Sequence, residues 1–107
     1  MSFKINDRPE FTRIVTILVP EGDDFREDTL KATFRVTSAE DHDLFGVEGM
    51  KDFLRDAIVR LDDVIGDDDT PLEYSPNLRD SVLAMDNARL ALMRTYSEAV
   101  TRLKLKN

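Results

Sequence analysis

The feature that most constrains the fold is a run of β-branched residues near the beginning of the chain. Residues 13–19 read Arg-Ile-Val-Thr-Ile-Leu-Val and end at Pro20, and β-branched side chains pack well on a pleated strand. Residues 30–36 then alternate strictly between apolar and polar side chains, which is typical of a strand with one buried face. The two runs predict a β-hairpin whose strands are joined by a long acidic loop over residues 21–28.

The first of these strands is apolar on both faces. Ile14 and Leu18 point to one side, while Val15, Ile17 and Val19 point to the other. A two-stranded sheet covered on one side would leave one set in water. Either another part of the chain covers the second face, or that face or the unpaired strand edge meets a second copy or a partner chain. The latter interpretation makes Val15, Ile17 and Val19 candidate partner-binding residues.

Helical periodicity begins after the hairpin. Residues 37–40, Thr-Ser-Ala-Glu, match a capping box and predict the start of a helical segment. Residues 47–61 carry an apolar stripe at helical spacing. Ser75 as cap and Pro76 as first residue predict a short helix, and residues 86–104 predict a last one. The predicted inner face of this last helix consists of Leu92, Tyr96, Ala99, Val100 and Leu103.

The order of these elements, strands first and helices after, predicts an α+β fold. We expect an N-terminal β-hairpin, with residues 3–5 as a candidate third strand, followed by three to four helices packed on one face. The 107 residues contain no repeat, linker or low-complexity tract. A single domain over residues 1–107 is therefore expected.

The net charge of −7 is distributed unevenly. Residues 20–85 hold 18 acidic and 7 basic side chains, whereas the last helix is basic. An acidic body argues against nucleic-acid and membrane partners, because phosphate groups bind clustered Lys or Arg. The basic helix has two interpretations: a solvated face whose cations suit the helix C-terminus, or a site that docks on an acidic neighbour. The second interpretation makes Arg94, Arg102 and Lys104 candidate partner-binding residues.

Residues suited to catalysis or metal binding do not form a recognisable pattern. The single histidine, His42, lies between two aspartates, and neither a nucleophile nor an orienting group accompanies it. The aspartates of residues 62–69 do not follow the ligand order of an EF-hand loop. The sequence predicts a protein that is not an enzyme and has no catalytic residues, no metal and no cofactor. The lack of cysteine and of a signal peptide predicts a reducing, cytoplasmic environment.

Residues 53–99 carry a layout that resembles a known family. The segments that carry it are Phe53-Leu54-Arg55, Ile58-Val59, Val64-Ile65, the acidic turn over residues 66–72, Tyr74-Ser75-Pro76-Asn77-Leu78, Ala88-Arg89-Leu90-Ala91-Leu92 and Tyr96-Ser97-Glu98-Ala99, with Thr33-Phe34-Arg35 in front. This layout is similar to that of the tail assembly chaperones of tailed bacteriophages. One departure is Leu61, in a stretch where many relatives have a tryptophan.

The resemblance implies a non-enzymatic protein of the host bacterial cytoplasm that is absent from the mature virion. Such a protein binds and solubilises the tape-measure protein and promotes tail-tube assembly, so its implied partners are the tape-measure protein, the major tail-tube protein and further copies of itself. An apolar binding surface on a charged body would suit a helical partner with exposed apolar stripes. The alternative is an acidic nucleic-acid mimic that inhibits a DNA-binding protein, although acids in loops favour solubility over mimicry.

Overall fold

The computed structural model describes residues 1–5 and 7–105, with side chains up to residue 102. Its elements are β1 (Glu10–Glu21), β2 (Asp24–Arg35), α1 (Val47–Ala57), β3 (Ile58–Asp62), α2 (Pro76–Leu83) and α3 (Asp86–Leu105). The strands form an antiparallel sheet in the order β1-β2-β3. Three helices accompany this sheet, so the predicted α+β arrangement is confirmed.

β1 and β2 pair along their whole length of 12 residues each, from Glu10 opposite Arg35 to Glu21 opposite Asp24. Only Gly22 and Asp23 connect them. Gly22 has a φ of 62°, as a type II′ turn requires at its first central position. The hairpin therefore has a tight turn.

The prediction of a long acidic loop over residues 21–28 is wrong, because most of these residues belong to β2. Arg26 explains how so acidic a strand forms. Its guanidinium group makes ion pairs with Glu21 across the hairpin at 2.8 Å and with Asp28 at 3.0 Å. Opposite charges on neighbouring strand positions favour pairing. The acidic residues of β2 have low β-propensity, but they still form a strand because they pair with β1, which is rich in β-branched residues.

The third strand is not at residues 3–5, which lie outside every strand, but at β3, directly after α1. The N–H group of Ile58 still bonds to the carbonyl of Leu54, while the φ and ψ of Ile58, −83° and 119°, are already extended. Ile58 and Leu61 are buried against β2. The apolar stripe predicted as one helix is therefore a helix followed by a strand. A register shift opposite Thr33 and Phe34 leaves Val59 as an extra residue, so Ile58 and Leu61 lie on one face, opposite Phe34 and Ala32.

The predicted capping box at residues 37–40 does not begin a helix. The hydroxyl of Ser38 accepts a bond from the N–H of Glu40, and the Asp43 carboxylate accepts one from the N–H of Phe45. Such local bonds compete with helix formation, and α1 begins only at Val47. The other predicted cap is confirmed, since the Ser75 hydroxyl accepts the N–H of Leu78 at 3.1 Å.

Tyr96 of α3 lies at the centre of an aromatic cluster that joins the helices to the sheet. Its ring centroid lies 5.9, 5.6 and 5.1 Å from those of Phe11, Phe34 and Phe53. Its hydroxyl accepts the N–H of Thr37 at 3.0 Å and donates to the carbonyl of Thr37 at 3.2 Å. All three positions follow from the sequence patterns: Phe34 lies on the apolar face of residues 30–36, Phe53 in the apolar stripe of residues 47–61 and Tyr96 on the predicted inner face of the last helix, and all three are buried.

The inner face of α3 follows the prediction as far as side chains are described. Leu92, Tyr96 and Ala99 are buried and Val100 packs against the core, whereas Leu103 lies outside the described side chains. Two polar side chains of α3 also reach the free edge of β1. Asn87 donates to the carbonyl of Leu18 and Arg94 to that of Thr16. α3 thus runs antiparallel to β1 and covers part of an edge that could otherwise pair with another strand.

Substitution of Tyr96 by Phe tests the tie between α3 and the chain after β2. Loss of two hydrogen bonds to a part-buried backbone should lower the free energy of unfolding by about 1–2 kcal/mol. Urea denaturation measures this change. Tyr74→Phe is the matched control, because no hydrogen bond joins the Tyr74 hydroxyl to the described residues. Equal stability of the two variants would contradict the role assigned to Tyr96.

Candidate partner-binding surfaces

The two faces of β1 have opposite environments. Val15 and Ile17 are 0% and 9% exposed, whereas Ile14 and Leu18 are 60% and 50% exposed. Of the two interpretations that the sequence leaves open for this face, cover by another part of the chain therefore applies to Val15 and Ile17. Their face is covered because α3 packs against it and places Leu92 in the same buried cluster. The excess apolar surface of β1 lies on the opposite face.

β3 is shorter than the hairpin, and this leaves part of the hairpin without a third strand. It pairs only with residues 31–34 of β2. Residues 16–29, hereafter the arm, are paired by β1 and β2 alone. The described chain measures 50 × 27 × 26 Å.

A groove of about 700 Å³ lies between the arm, the turn after β3 and the junction of α2 with α3. This arm groove has an apolar lining made of Ile17, Val19, Leu30, Val64, Ile65, Val82, Met85 and Ala88. Ile65 and Met85 are more than half exposed, and Val19 is half-buried. Of the residues predicted from the sequence, Val19 therefore lies in the wall of the groove and Ile17 at its base, whereas Val15 does not line it.

The turn after β3 presents Ile65 to the arm groove. The N–H of Leu72 donates to the carbonyl of Val64 at 2.8 Å, and that of Gly66 donates to Thr70 at 2.9 Å. These bonds fold residues 64–72 back on themselves, with a bridge between Ile65 and Pro71. The segment is an ordered wall of the groove.

Carboxylates surround the apolar lining of the arm groove. Asp28 contributes from the arm, and Asp63 and Asp69 from the turn. Only one cationic side chain, Arg26, lines the same groove, and it is held by Glu21 and Asp28. The groove therefore combines an apolar base with a predominantly acidic rim.

The acidic turn does not gather its carboxylates into a metal site. Within the described residues, no group of three His, Asp or Glu side chains is placed to hold a metal ion. Asp68 instead bonds within the turn. Hydrogen bonds from the Thr70 hydroxyl and backbone N–H lower the pKa of this carboxyl below its ordinary value, because they favour the charged form.

Ion pairs hold other charged groups of the surface. Arg79 and Arg55 both contact Asp80 and lower the pKa of its carboxyl, which links α1 to α2. Hydrogen bonds to Asp28 and Glu21 raise the pKa of Arg26, and those to Asp62 raise the pKa of Arg60. These groups carry their charges in the folded protein, and exposed ion pairs of this kind contribute little to its stability.

The outer face of the hairpin carries a second apolar surface, the outer stripe of Ile14, Leu18 and Phe25. Phe25 lies opposite Pro20 in the register, next to Leu18 on the same face. The sequence does not assign Phe25 to this stripe, because the acidic residues around it are typical of a loop. The apolar residues Leu18 and Pro20 of β1 are the feature of the sequence that could place Phe25 on this face.

A third surface is a basic groove of about 260 Å³ between β1 and α3. It is lined by Arg13, Ile14, Thr16, Arg94, Thr95, Glu98, Ala99 and Arg102. The structure thus brings together the predicted residues Arg94 and Arg102, and it adds Arg13 from β1. The side chain of Lys104, the third predicted cation, lies outside the described part of the chain.

His42 packs edge-on against Phe53, with 5.6 Å between the ring centroids.

No helix in the described part of the chain is long and apolar enough to span a bilayer. Comparisons of the chain with known protein families, curated proteins and solved structures give no match. A functional proposal therefore rests on the sequence resemblance of residues 53–99 together with these surfaces.

Charged substitutions on β1 separate its core position from its groove position. Val15→Asp should lower the free energy of unfolding by more than about 3 kcal/mol, because it buries an unpaired charge. Val19→Asp should lower it by about 1 kcal/mol or less, because water reaches this side chain. Urea denaturation of both variants measures the difference, and a Val19→Asp variant as unstable as Val15→Asp would show that Val19 belongs to the core.

Proposed function

We propose that this protein is a non-enzymatic tail assembly chaperone of a tailed bacteriophage. In this proposal it binds helical segments of the tape-measure protein, keeps them soluble and promotes assembly of the major tail-tube protein around them. It acts in the host bacterial cytoplasm and is absent from the mature virion. The family resemblance of residues 53–99 suggests this role.

The observation that carries the proposal is the apolar lining of the arm groove. Ile65 and Met85 leave more than half of their surface in water, and burial of such surface by a partner would be favourable by roughly 25 cal/mol per Å². An α-helix is about 10–12 Å in diameter and presents an apolar stripe along one side. A helix laid in a groove is a common way to cover such a surface.

The acidic rim adds a requirement on the sequence of the bound helix. Asp63 and Asp69 flank the groove on the side of the turn, and Asp28 flanks it on the side of the arm. A helix with basic residues beside its apolar stripe would complement these carboxylates, and complementary charge chiefly accelerates association and selects the partner. We therefore expect the bound segments to be amphipathic and basic.

The alternative, a nucleic-acid mimic, needs free carboxylates in a regular array. Glu21, Asp28 and Asp62 are instead held in ion pairs by Arg26 and Arg60. Such pairs reduce the negative charge offered to a DNA-binding protein. The arrangement of the described side chains thus favours the chaperone proposal.

Co-expression tests the proposal with matched variants. A tape-measure fragment should be soluble when the wild-type chain is co-expressed and insoluble without it. Ile65→Glu and Met85→Glu should each reduce the soluble fraction severalfold, because a charge in the groove opposes burial of an apolar stripe. The soluble amount of the fragment is measured after centrifugation.

Leu90→Glu is the matched control for these variants. Leu90 is 55% exposed, against 56% for Ile65, but it does not line the arm groove. We expect it to leave the rescue unchanged. Equal loss of rescue by all three variants, or rescue that survives both groove variants, would contradict binding in the arm groove. If the wild-type chain did not keep the fragment soluble, the proposed function itself would be contradicted.

A further inference from the structure

We propose that copies of this chain associate head to tail, with the acidic hairpin tip of one copy in the basic groove of the next. The tip comprises residues 21–28, and the basic groove is that formed by Arg13, Arg94 and Arg102. The inference does not depend on the identity of the partner in the arm groove. It names the occupant of the basic groove.

The arginines of the basic groove have no carboxylate partner within the described residues. Arg94 donates to the backbone carbonyl of Thr16 at 3.4 Å, and Arg13 donates to that of Thr12 at 2.9 Å. Arg13 also lies over the Phe11 ring, 5.3 Å from its centroid. The ion pairs elsewhere in the structure involve Arg8, Arg26, Lys51, Arg55, Arg60, Arg79 and Arg89.

This grouping is unusual in a chain with a net charge of −7. Three guanidinium groups line one small groove together with a single carboxylate, that of Glu98. Like charges placed together repel each other, and an anionic occupant would remove this repulsion. Guanidinium groups bind carboxylates with two parallel hydrogen bonds, which adds geometric specificity.

The hairpin tip supplies carboxylates that are similarly unused. Residues 21–28 hold five acidic side chains and one basic side chain, and all of these residues are exposed. Arg26 holds Glu21 and Asp28. Asp23, Asp24 and Glu27 form no ion pair with the described residues. The narrow turn at Gly22 presents the first two of these at the end of the arm.

The tip and the basic groove of one copy cannot meet. Glu21 at the end of β1 lies eight residues beyond Arg13, or about 27 Å along a strand. α3 runs antiparallel to β1 and carries Arg102 further from the tip, since Asn87 contacts Leu18 whereas Tyr96 contacts Phe11. The complementary charges can therefore be joined only between copies. An interface between two different surfaces leaves one of each free, so that it can repeat.

Sedimentation velocity over a concentration series tests this inference on the full chain. The wild-type protein should self-associate at an ionic strength of about 0.05 M and dissociate at about 0.5 M, because exposed ion pairs are screened by salt. Arg94→Gln/Arg102→Gln and Asp23→Asn/Asp24→Asn should each weaken association by about tenfold or more. Arg60→Gln, which removes an arginine already paired with Asp62, should not.

Mixing the two double variants gives the decisive result. The first retains its acidic tip and the second retains its basic groove, so the mixture should form a complex of two chains and no larger species. Circular dichroism checks that each variant is folded. A wild-type chain that stays monomeric at low ionic strength, or association unaffected by either double variant, would overturn the proposal. Association lost only in a Leu18→Thr variant would assign the contact to the outer stripe and would equally overturn it.

Discussion

β3 is five residues long, and it can extend the sheet over only a short part of a hairpin whose strands have 12 residues each. The residue pairs of the arm are held by hydrogen bonds between β1 and β2 alone. Their inner side chains are buried only where α3 or the turn after β3 covers them. Because α3 covers Val15 and only part of the edge of β1, the inner face of the arm stays open beside Val19. The arm groove is the consequence of this difference in length.

The polar groups around the arm make the open surface selective. Asn87 and Arg94 bond to outward-facing carbonyls of β1, which opposes uncontrolled pairing with another strand. Carboxylates surround the arm groove, and guanidinium groups line the basic groove at the other end of α3. The acidic rim and the basic groove thus lie on different parts of the surface. In the two proposals, a helical partner and a second copy would therefore occupy different sites.

The sequence predicted the fold class and the core because these depend on local periodicity. Phe34, Phe53 and Tyr96 are buried as expected, and Ser75 caps α2. The acidic half of β2 was missed because its pairing depends on Arg26 and on a partner strand far better suited to β-structure. β3 was missed because Ile58 and Leu61 are buried in a strand and would also be buried in a helix.

The candidate surfaces were less predictable, since they depend on which face of β1 the distant α3 covers. The alternation of side chains in β1 shows two apolar faces but does not say which one remains open. Arg13 joins Arg94 and Arg102 only through the packing of α3 against β1. By contrast, the apolar character of Val19 and the basic character of α3 were visible in the sequence. Residue types were therefore predictable, whereas their grouping required tertiary structure.

The central claim is that the arm groove, rather than the outer stripe, receives an amphipathic helix. Methyl NMR of the isotope-labelled protein, titrated with a basic amphipathic helical peptide from a tape-measure protein, tests this most directly. The account predicts saturable shifts at the methyl groups of Val19, Ile65 and Met85, with Ile14 and Leu18 unchanged. Shifts confined to Ile14 and Leu18, or no shift at any of these methyl groups, would contradict it.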